Sequence, residues 1–103
     1  MNSEVLILFS RKGCCLCEAL EIKLSKISLI NLNPPIELSI IDIDNKEVSI
    51  DIKMKYTNEV PVLVLDSNKL SRKIELPRVS PRLKEDLLLT WIQKNLNIFF
   101  NTS

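Results

Sequence analysis

The run Val5-Leu6-Ile7-Leu8-Phe9-Ser10-Arg11-Lys12-Gly13-Cys14-Cys15-Leu16-Cys17-Glu18 reads as a strand, a turn and the opening of a helix. Residues Val5 to Phe9 are apolar without a break, as in a strand buried on both faces, and the polar residues Ser10 to Gly13 end it. The period then changes. Leu16, Leu20, Leu24 and Ile27 recur every three or four residues with Glu21, Lys23 and Lys26 between them, which predicts an amphipathic helix from about Cys14 to Ile30. All three cysteines therefore sit where a strand hands over to a helix. Cys14 and Cys17 form a Cys-x-x-Cys, the spacing a dithiol needs. The first sulfur meets the unsatisfied N–H groups and positive dipole end of the helix, which favour thiolate, and the second lies one turn further in, within bonding reach. Arg11 and Lys12 add positive charge, and Gly13 lets the backbone turn tightly.

Asn31-Leu32-Asn33-Pro34-Pro35 ends this helix. Ile36, Leu38 and Ile40 alternate with Glu37 and Ser39, and the run continues through Ile41 and Ile43, so a second strand with one wetter face follows. From Lys46 to Tyr56 the residues Val48, Ile50, Ile52, Met54 and Tyr56 alternate as in a strand, yet Val48, Ile52 and Tyr56 also stand at helical spacing. Asp44-Asn45 as a start signal, and the need for a crossover connection, favour a helix here. Val62 to Leu65, preceded by Pro61, make a third strand that is apolar on both faces. The turn Asp66-Ser67-Asn68-Lys69 leads back through Leu70 to Leu76, a hairpin partner too polar for a sheet centre. Ser80 as cap, with Pro81 at the first helical position, opens a last helix whose stripe is Leu83, Leu87, Leu88, Trp91, Ile92 and Leu96. Residues 97–103 are expected to be a tail whose Ile98, Phe99 and Phe100 fold back or meet a partner. Trp91, Tyr56 and Met54 are expected in the core.

The polarity of the strands orders the sheet. The first and third must be central and the second and fourth lie at the edges; a right-handed crossover and a hairpin then give the order 2-1-3-4.

Composition narrows the chemistry. The chain of 103 residues has no histidine, which removes Ser/His/Asp and Cys/His catalysis and histidine-bound zinc together. Fourteen Lys plus Arg against 13 Asp plus Glu leave a net charge of +1, no footprint for nucleic acid or an anionic membrane. No apolar run approaches the ~20 residues that span a bilayer. Val5 to Phe9 follows Glu4 instead of a basic region and is too short for a signal peptide, so a reducing, cytoplasmic compartment is expected. Three cysteines between positions 14 and 17 close no loops and are not a secreted disulfide framework. Crowded as they are, they do not make a closed four-ligand zinc site within one chain, and no metal ligands are assigned. A cluster or metal shared between two chains is the rival reading, iron-sulfur being the cluster implied by the family resemblance these cysteines carry. A third is a non-catalytic adaptor with idle thiols.

Cys14-Cys15-Leu16-Cys17-Glu18 after the first strand, together with Tyr56-Thr57-Asn58-Glu59-Val60-Pro61-Val62-Leu63, resembles the thioredoxin superfamily. More closely, it is similar to short glutaredoxin-like proteins with the pattern Cys-x-Leu-Cys-[Asp/Glu] and, later, Tyr-x3-[Val/Ile]-Pro-Val-Leu. The resemblance covers residues 4 to about 96. It implies a thioredoxin-like, glutaredoxin-type α/β fold: a three-layer sandwich whose four-stranded mixed sheet of order 2-1-3-4 is flanked by three helices, as one domain over residues 1–103. It further implies that the third strand is antiparallel to the first and that Pro61 is a cis-proline facing the sulfurs. The backbone of Val60 would pair with an extended substrate segment. The implied activity is thiol-disulfide oxidoreduction, with Cys14 attacking a substrate disulfide and Cys17 resolving the mixed disulfide. The substrate would be a disulfide-containing protein or a small thiol compound, and a monomer is expected. Two departures stand out. Glutaredoxins proper carry Pro-Tyr or Pro-Phe between their cysteines and Gly-Gly with acidic residues after the fourth strand. Here those positions read Cys15-Leu16 and Pro77-Arg78-Val79-Ser80, so no tightly bound cofactor is expected, with glutathione reduced to a candidate co-substrate. Arg11, Lys12, Arg78 and Arg82 are the cations available to hold its carboxylates. Cys15 has no assigned role.

Overall fold

The structure is a computed structural model that describes residues 4–100. Its sheet centre is built from the two strands that are apolar on both faces, β1 (Glu4–Ser10) and β3 (Val62–Ser67). The more polar β2 (Ile36–Asp42) lies beside β1, and β4 (Arg72–Glu75) lies beside β3, giving the order β2-β1-β3-β4. β2 runs parallel to β1, whereas β3 is antiparallel to both β1 and β4. Alternation along the central strands sends Leu6, Leu8, Leu63 and Leu65 to one face, where α1 (Cys15–Lys26) and α3 (Glu85–Phe100) add Leu20, Leu24, Leu88, Ile92 and Leu96. Ile7, Phe9, Val62 and Val64 go to the other face, covered by the short α2 (Ile50–Tyr56) and by Ile43. Two buried clusters on either side of one sheet are what makes the strands read as unbroken apolar runs, and each fully buried large side chain contributes about 1.5–3 kcal/mol. The architecture is the expected thioredoxin-like three-layer α/β sandwich.

Several element boundaries and faces differ from the sequence reading. α1 begins at Cys15 and ends at Lys26; Ile27 is extended and a 3-10 turn at Leu29–Asn31 follows. Leu29 and Leu32 lie off the helical line of Leu20 and Leu24, and the chain leaves the helix to bury them in the same core. Leu16 is 55% exposed while Cys17 is 1% exposed, so the inward face of α1 is Cys17, Leu20 and Leu24. A small thiol occupies the place that the periodicity assigned to leucine.

The segment before β3 is helical as expected, but it starts at Ile50 instead of Lys46. Asp44-Asn45 does not cap it. The Asp42 side chain accepts the Asp44 N–H, and the Asn45 side chain accepts the Glu47 N–H, so these residues shape turns, and Ser49 Oγ caps α2 through the Ile52 N–H at 3.3 Å. Helical spacing turns Ile52 and Tyr56 inward and leaves Met54 exposed, against the expectation that Met54 is core. β3 extends to Ser67, β4 shortens to Arg72–Glu75, and Ser67 Oγ takes the Leu70 N–H at 2.9 Å within the connecting turn.

Ser80 also fails to cap α3. Its hydroxyl accepts the Arg82 N–H and its carbonyl the Leu83 N–H, which closes an isolated turn before the helix begins at Glu85. Lys23 of α1 donates to the carbonyls of Pro81 and Leu83, anchoring that turn to the other helix. Leu87 is half exposed, and the buried line is Leu88, Ile92 and Leu96 with Asn95. The expected tail is helical through Phe100, with Phe99 and Phe100 packed on the core and Ile98 exposed; residues 101–103 lie outside the described part.

The reassigned face of α1 is tested by a pair of truncations. Leu20→Ala should lower the free energy of unfolding by about 2–5 kcal/mol, while Leu16→Ala one turn earlier should change it by no more than about 0.5 kcal/mol, both read from urea denaturation.

Candidate dithiol active site

The junction between β1 and α1 is a tight turn. Arg11 O accepts the Cys14 N–H at 3.2 Å, and Gly13 takes φ +80°, a conformation that side-chain-bearing residues rarely adopt. Nothing stands within 4 Å of where a Gly13 Cβ would lie, so the glycine answers a backbone demand and not a steric one. The turn delivers Cys14 to the N-cap of α1 in an extended conformation. There its Sγ accepts the Cys17 N–H at 3.2 Å and its carbonyl accepts the Glu18 N–H at 3.0 Å. A sulfur thus fills the place usually taken by a serine or aspartate oxygen, at the end of the helix where negative charge is stabilised.

The three thiols are free and occupy three different environments: Cys14 is partly exposed, Cys15 exposed and Cys17 buried. Burial pushes the Cys17 thiol up to about 12, and its hydrogen bond with the Cys14 sulfur pushes the same way. The Arg11 backbone and the Arg11 charge act against that rise. One sulfur of the pair therefore faces solvent at a helix N-terminus, and its companion stands directly behind it as a protonated core residue.

The sheet register brings the second sequence motif to the same place. Phe9 pairs with Val62, so the head of β3 lies beside the end of β1, next to the turn that carries the cysteines. The Val60-Pro61 peptide bond is cis. Pro61 lines a crease with Leu20, Leu76, Pro77, Arg78 and Val79, and Leu20 is the α1 residue one turn beyond Cys17. Both Val60 and Pro61 are partly exposed. The Val60 N–H is taken by Tyr56 O at 3.2 Å, a carbonyl that also accepts the Glu59 N–H at 2.8 Å. An incoming strand would thus meet Val60 through its carbonyl.

The cations are distributed unequally. Arg11 binds Asp44 and both the hydroxyl and the carbonyl of Thr57. Arg78 donates to the Glu59 carbonyl at 2.7 Å and pairs with its carboxylate at 3.2 Å, which steadies the loop before Pro61. Lys12 and Arg82 are exposed. Thr57 and Glu59 carry no signal in the sequence and Asp44 signals only a helix start, because each is an ordinary polar loop residue until the fold brings it against an arginine. On the far side of Pro61, the Tyr56 hydroxyl donates to Glu75 at 2.9 Å. Burial, and then that carboxylate, push the Tyr56 phenol up to about 12. Among the described residues, no group of three or more Cys, Asp or Glu side chains is placed to hold a metal ion. No described helix is long and apolar enough to cross a membrane.

The dithiol thus stands at the strand-helix junction and the cis-proline at the head of β3. Residues 5–93 match the family described as Glutaredoxin-like domain (DUF836). The chain belongs to this glutaredoxin-like family. A solved structure titled "Structure of a malarial protein" shares the fold, with TM-score 0.60 and 23% identity over 92% of this chain and 99% of that one. No curated protein matches the chain.

The environments of Cys17 and Tyr56 in this glutaredoxin-like chain make alkali destabilising. Both groups titrate higher in the folded protein than their ordinary values of 9.0 and 10.0. A raised folded value stabilises the native state below the unfolded value, and that contribution is lost as pH rises towards the folded one. Under reducing conditions the urea midpoint should therefore fall between about pH 9 and pH 12, and Tyr56→Phe should flatten the decline above about pH 10.

Proposed function

We propose that this glutaredoxin-like protein is a small thiol-disulfide oxidoreductase that works through Cys14 and Cys17. The observation that carries this reading is the asymmetry of the pair. Cys14 is accessible and caps a helix N-terminus, while Cys17 is buried behind it within hydrogen-bond reach. Nucleophilic attack needs the first arrangement, and delayed, intramolecular release needs the second.

In the first step the Cys14 thiolate attacks one sulfur of a substrate disulfide. A Cys14-substrate bond forms, the substrate S–S bond breaks, and the other substrate half departs as thiolate and takes a proton from solvent. Cys17 then loses its proton to solvent and attacks Cys14 Sγ. The Cys14–Cys17 bond forms, the mixed disulfide breaks, and the second substrate half leaves as a thiol. Two protein thiols are oxidised and one substrate disulfide is reduced; a second dithiol or two monothiols, glutathione among them, must return the protein to its starting state. Substrate docking is assigned to the groove at Val60 and Pro61, with the exposed Lys12 of the turn before Cys14 as a cation for an acidic substrate. The substrate class is a disulfide in an extended protein segment or a small molecule, handled by a monomer in a reducing compartment such as the cytoplasm.

Mass spectrometry of single-cysteine variants tests this directly. Incubated with a disulfide substrate, Cys17→Ser should accumulate a mixed disulfide on Cys14, whereas the parent chain should pass on to an internal bond two mass units below the dithiol. Cys14→Ser should lose the reductase rate by about 10³-fold or more, since Cys17 is buried and Cys15, though exposed in the first turn, is not the N-cap sulfur that accepts the Cys17 N–H. A Cys14→Ser variant that retains the full rate would eliminate the mechanism.

A further inference from the structure

We infer that the substrate of this site is a disulfide within an extended, largely uncharged polypeptide segment, and that glutathione disulfide is turned over poorly. The inference rests on the dithiol reading above and narrows its substrate class. The groove's volume, its one open backbone group and its shortage of free cations carry it together.

Sites that enclose a small molecule are hollows of about 300–1,000 Å³. The crease lined by Pro61, Leu20, Leu76, Arg78 and Val79 has a volume of about 10 Å³, room for about one water molecule. Cavities of about 360, 520 and 620 Å³ exist elsewhere in the protein. The walls of these three are built around the β3–β4 turn or on the α2 side of β1 and β2, without Cys14, Cys17 or Pro61. A partner at the dithiol therefore lies on the surface and must gather its contact area along its own length, as an extended polypeptide does.

The backbone at the groove offers that partner a single acceptor. Tyr56 O engages the Val60 N–H and Arg78 engages the Glu59 carbonyl at 2.7 Å, while no described residue donates to the Val60 carbonyl. Standing before a cis-proline that has no N–H of its own, this carbonyl selects a partner that donates a main-chain N–H. Apolar side chains at the site stay open as well. Val60, Pro61 and Val79 are partly exposed, and Leu16, in the first turn of α1, is 55% exposed.

Charge separates such a segment from glutathione, which brings two carboxylates on each half of its disulfide. Arg11 has four of its five N–H donors engaged by Asp44 and Thr57. Arg78 is matched by the Glu59 carboxylate at 3.2 Å. Arg82 stands in the turn whose Pro81 and Leu83 carbonyls accept from Lys23, nine residues or about 13 Å of helix rise beyond Cys14. Lys12 is left, exposed and in no ion pair among the described residues. Glu18, exposed in the first turn of α1, brings a negative charge to the same junction. One carboxylate can be met here, which suits a segment with a single acidic residue and leaves the others of glutathione disulfide unmatched. The chemistry is the exchange already written: the segment's S–S bond is reduced to two thiols as the Cys14–Cys17 bond forms.

The reduced full chain is mixed with one of two disulfides below saturation, and formation of the Cys14–Cys17 bond is followed by acid quench and mass spectrometry. One probe is glutathione disulfide. The other is the symmetric disulfide of a short peptide, apolar apart from one acidic residue, with a central cysteine. The peptide should react faster by about 10-fold or more, from its apolar contacts and its hydrogen bond to Val60. N-methylation of the peptide bonds flanking its cysteine removes the donors that the Val60 carbonyl needs and should slow it by about 3- to 10-fold. Methylation at the peptide's far end should change the rate by less than about 2-fold. Glutathione disulfide reacting as fast as the peptide overturns the inference, and so does a flank-methylated peptide that keeps the parent rate. A chain that forms no internal bond with either disulfide overturns the dithiol reading itself; bond formation at like rates leaves that reading standing and removes only the substrate class.

Discussion

Antiparallel pairing of β1 with β3 is the constraint on which the site depends. The first motif leaves the end of β1 and the second enters the head of β3, separated by more than forty residues of chain. Pairing Phe9 with Val62 brings them to one corner of the molecule without any contact between the motifs having to achieve it. The pairing is secured by apolar side chains on both faces of the sheet: Leu6, Leu8, Leu63 and Leu65 on one, and Ile7 and Val64 on the other. Chemistry at the corner is thus free to use a tight glycine turn and a buried thiol, because the apolar sheet supplies the stability that holds them.

Much of this was legible in the residues alone. Runs without a polar break identified the central strands, and hydrophobic and polar alternation placed β2 at an edge, so the sheet order followed from patterning. Cys14, Cys17, Val60 and Pro61 were found by spacing and resemblance, and the fold brings their two segments together. What escaped was rotation and termination. Leu16 was assigned to the core and Cys17 was not, because the rotation of α1 that buries Cys17 with Leu20 and Leu24 and carries Leu16 out to solvent is not fixed by periodicity alone. Ser80 and Asn45 carried helix-start chemistry and spent it on turns, and Asp44 spent its carboxylate on Arg11, since the same side-chain oxygens serve all these ends and local sequence does not say which N–H they will meet. Met54 fell on the outer face for the same reason that Tyr56 fell on the inner one.

The polar partners were the least legible part. Arg11 looked like a charge beside the dithiol or a substrate contact, and its hydrogen-bond partners, Asp44 and Thr57, are 33 and 46 residues away in the chain. Long-range hydrogen bonds of this kind have no periodicity to betray them. They emerge only when strand order, crossover hand and helix length have all been settled, and that is why a site can be recognised from sequence while the devices that tune it are not.

The chain contains one glycine, and it stands in the turn between β1 and α1. Everywhere else a Cβ narrows the accessible backbone angles, so the scaffold has almost no licence for hinge-like adjustment except at that corner. A thiol pair that alternates between bonded and unbonded states needs a small give in its own loop and none in the groove opposite. For the proposed dithiol cycle, conformational freedom concentrated in the one residue that precedes Cys14 would meet both needs and keep the cycle within its own loop.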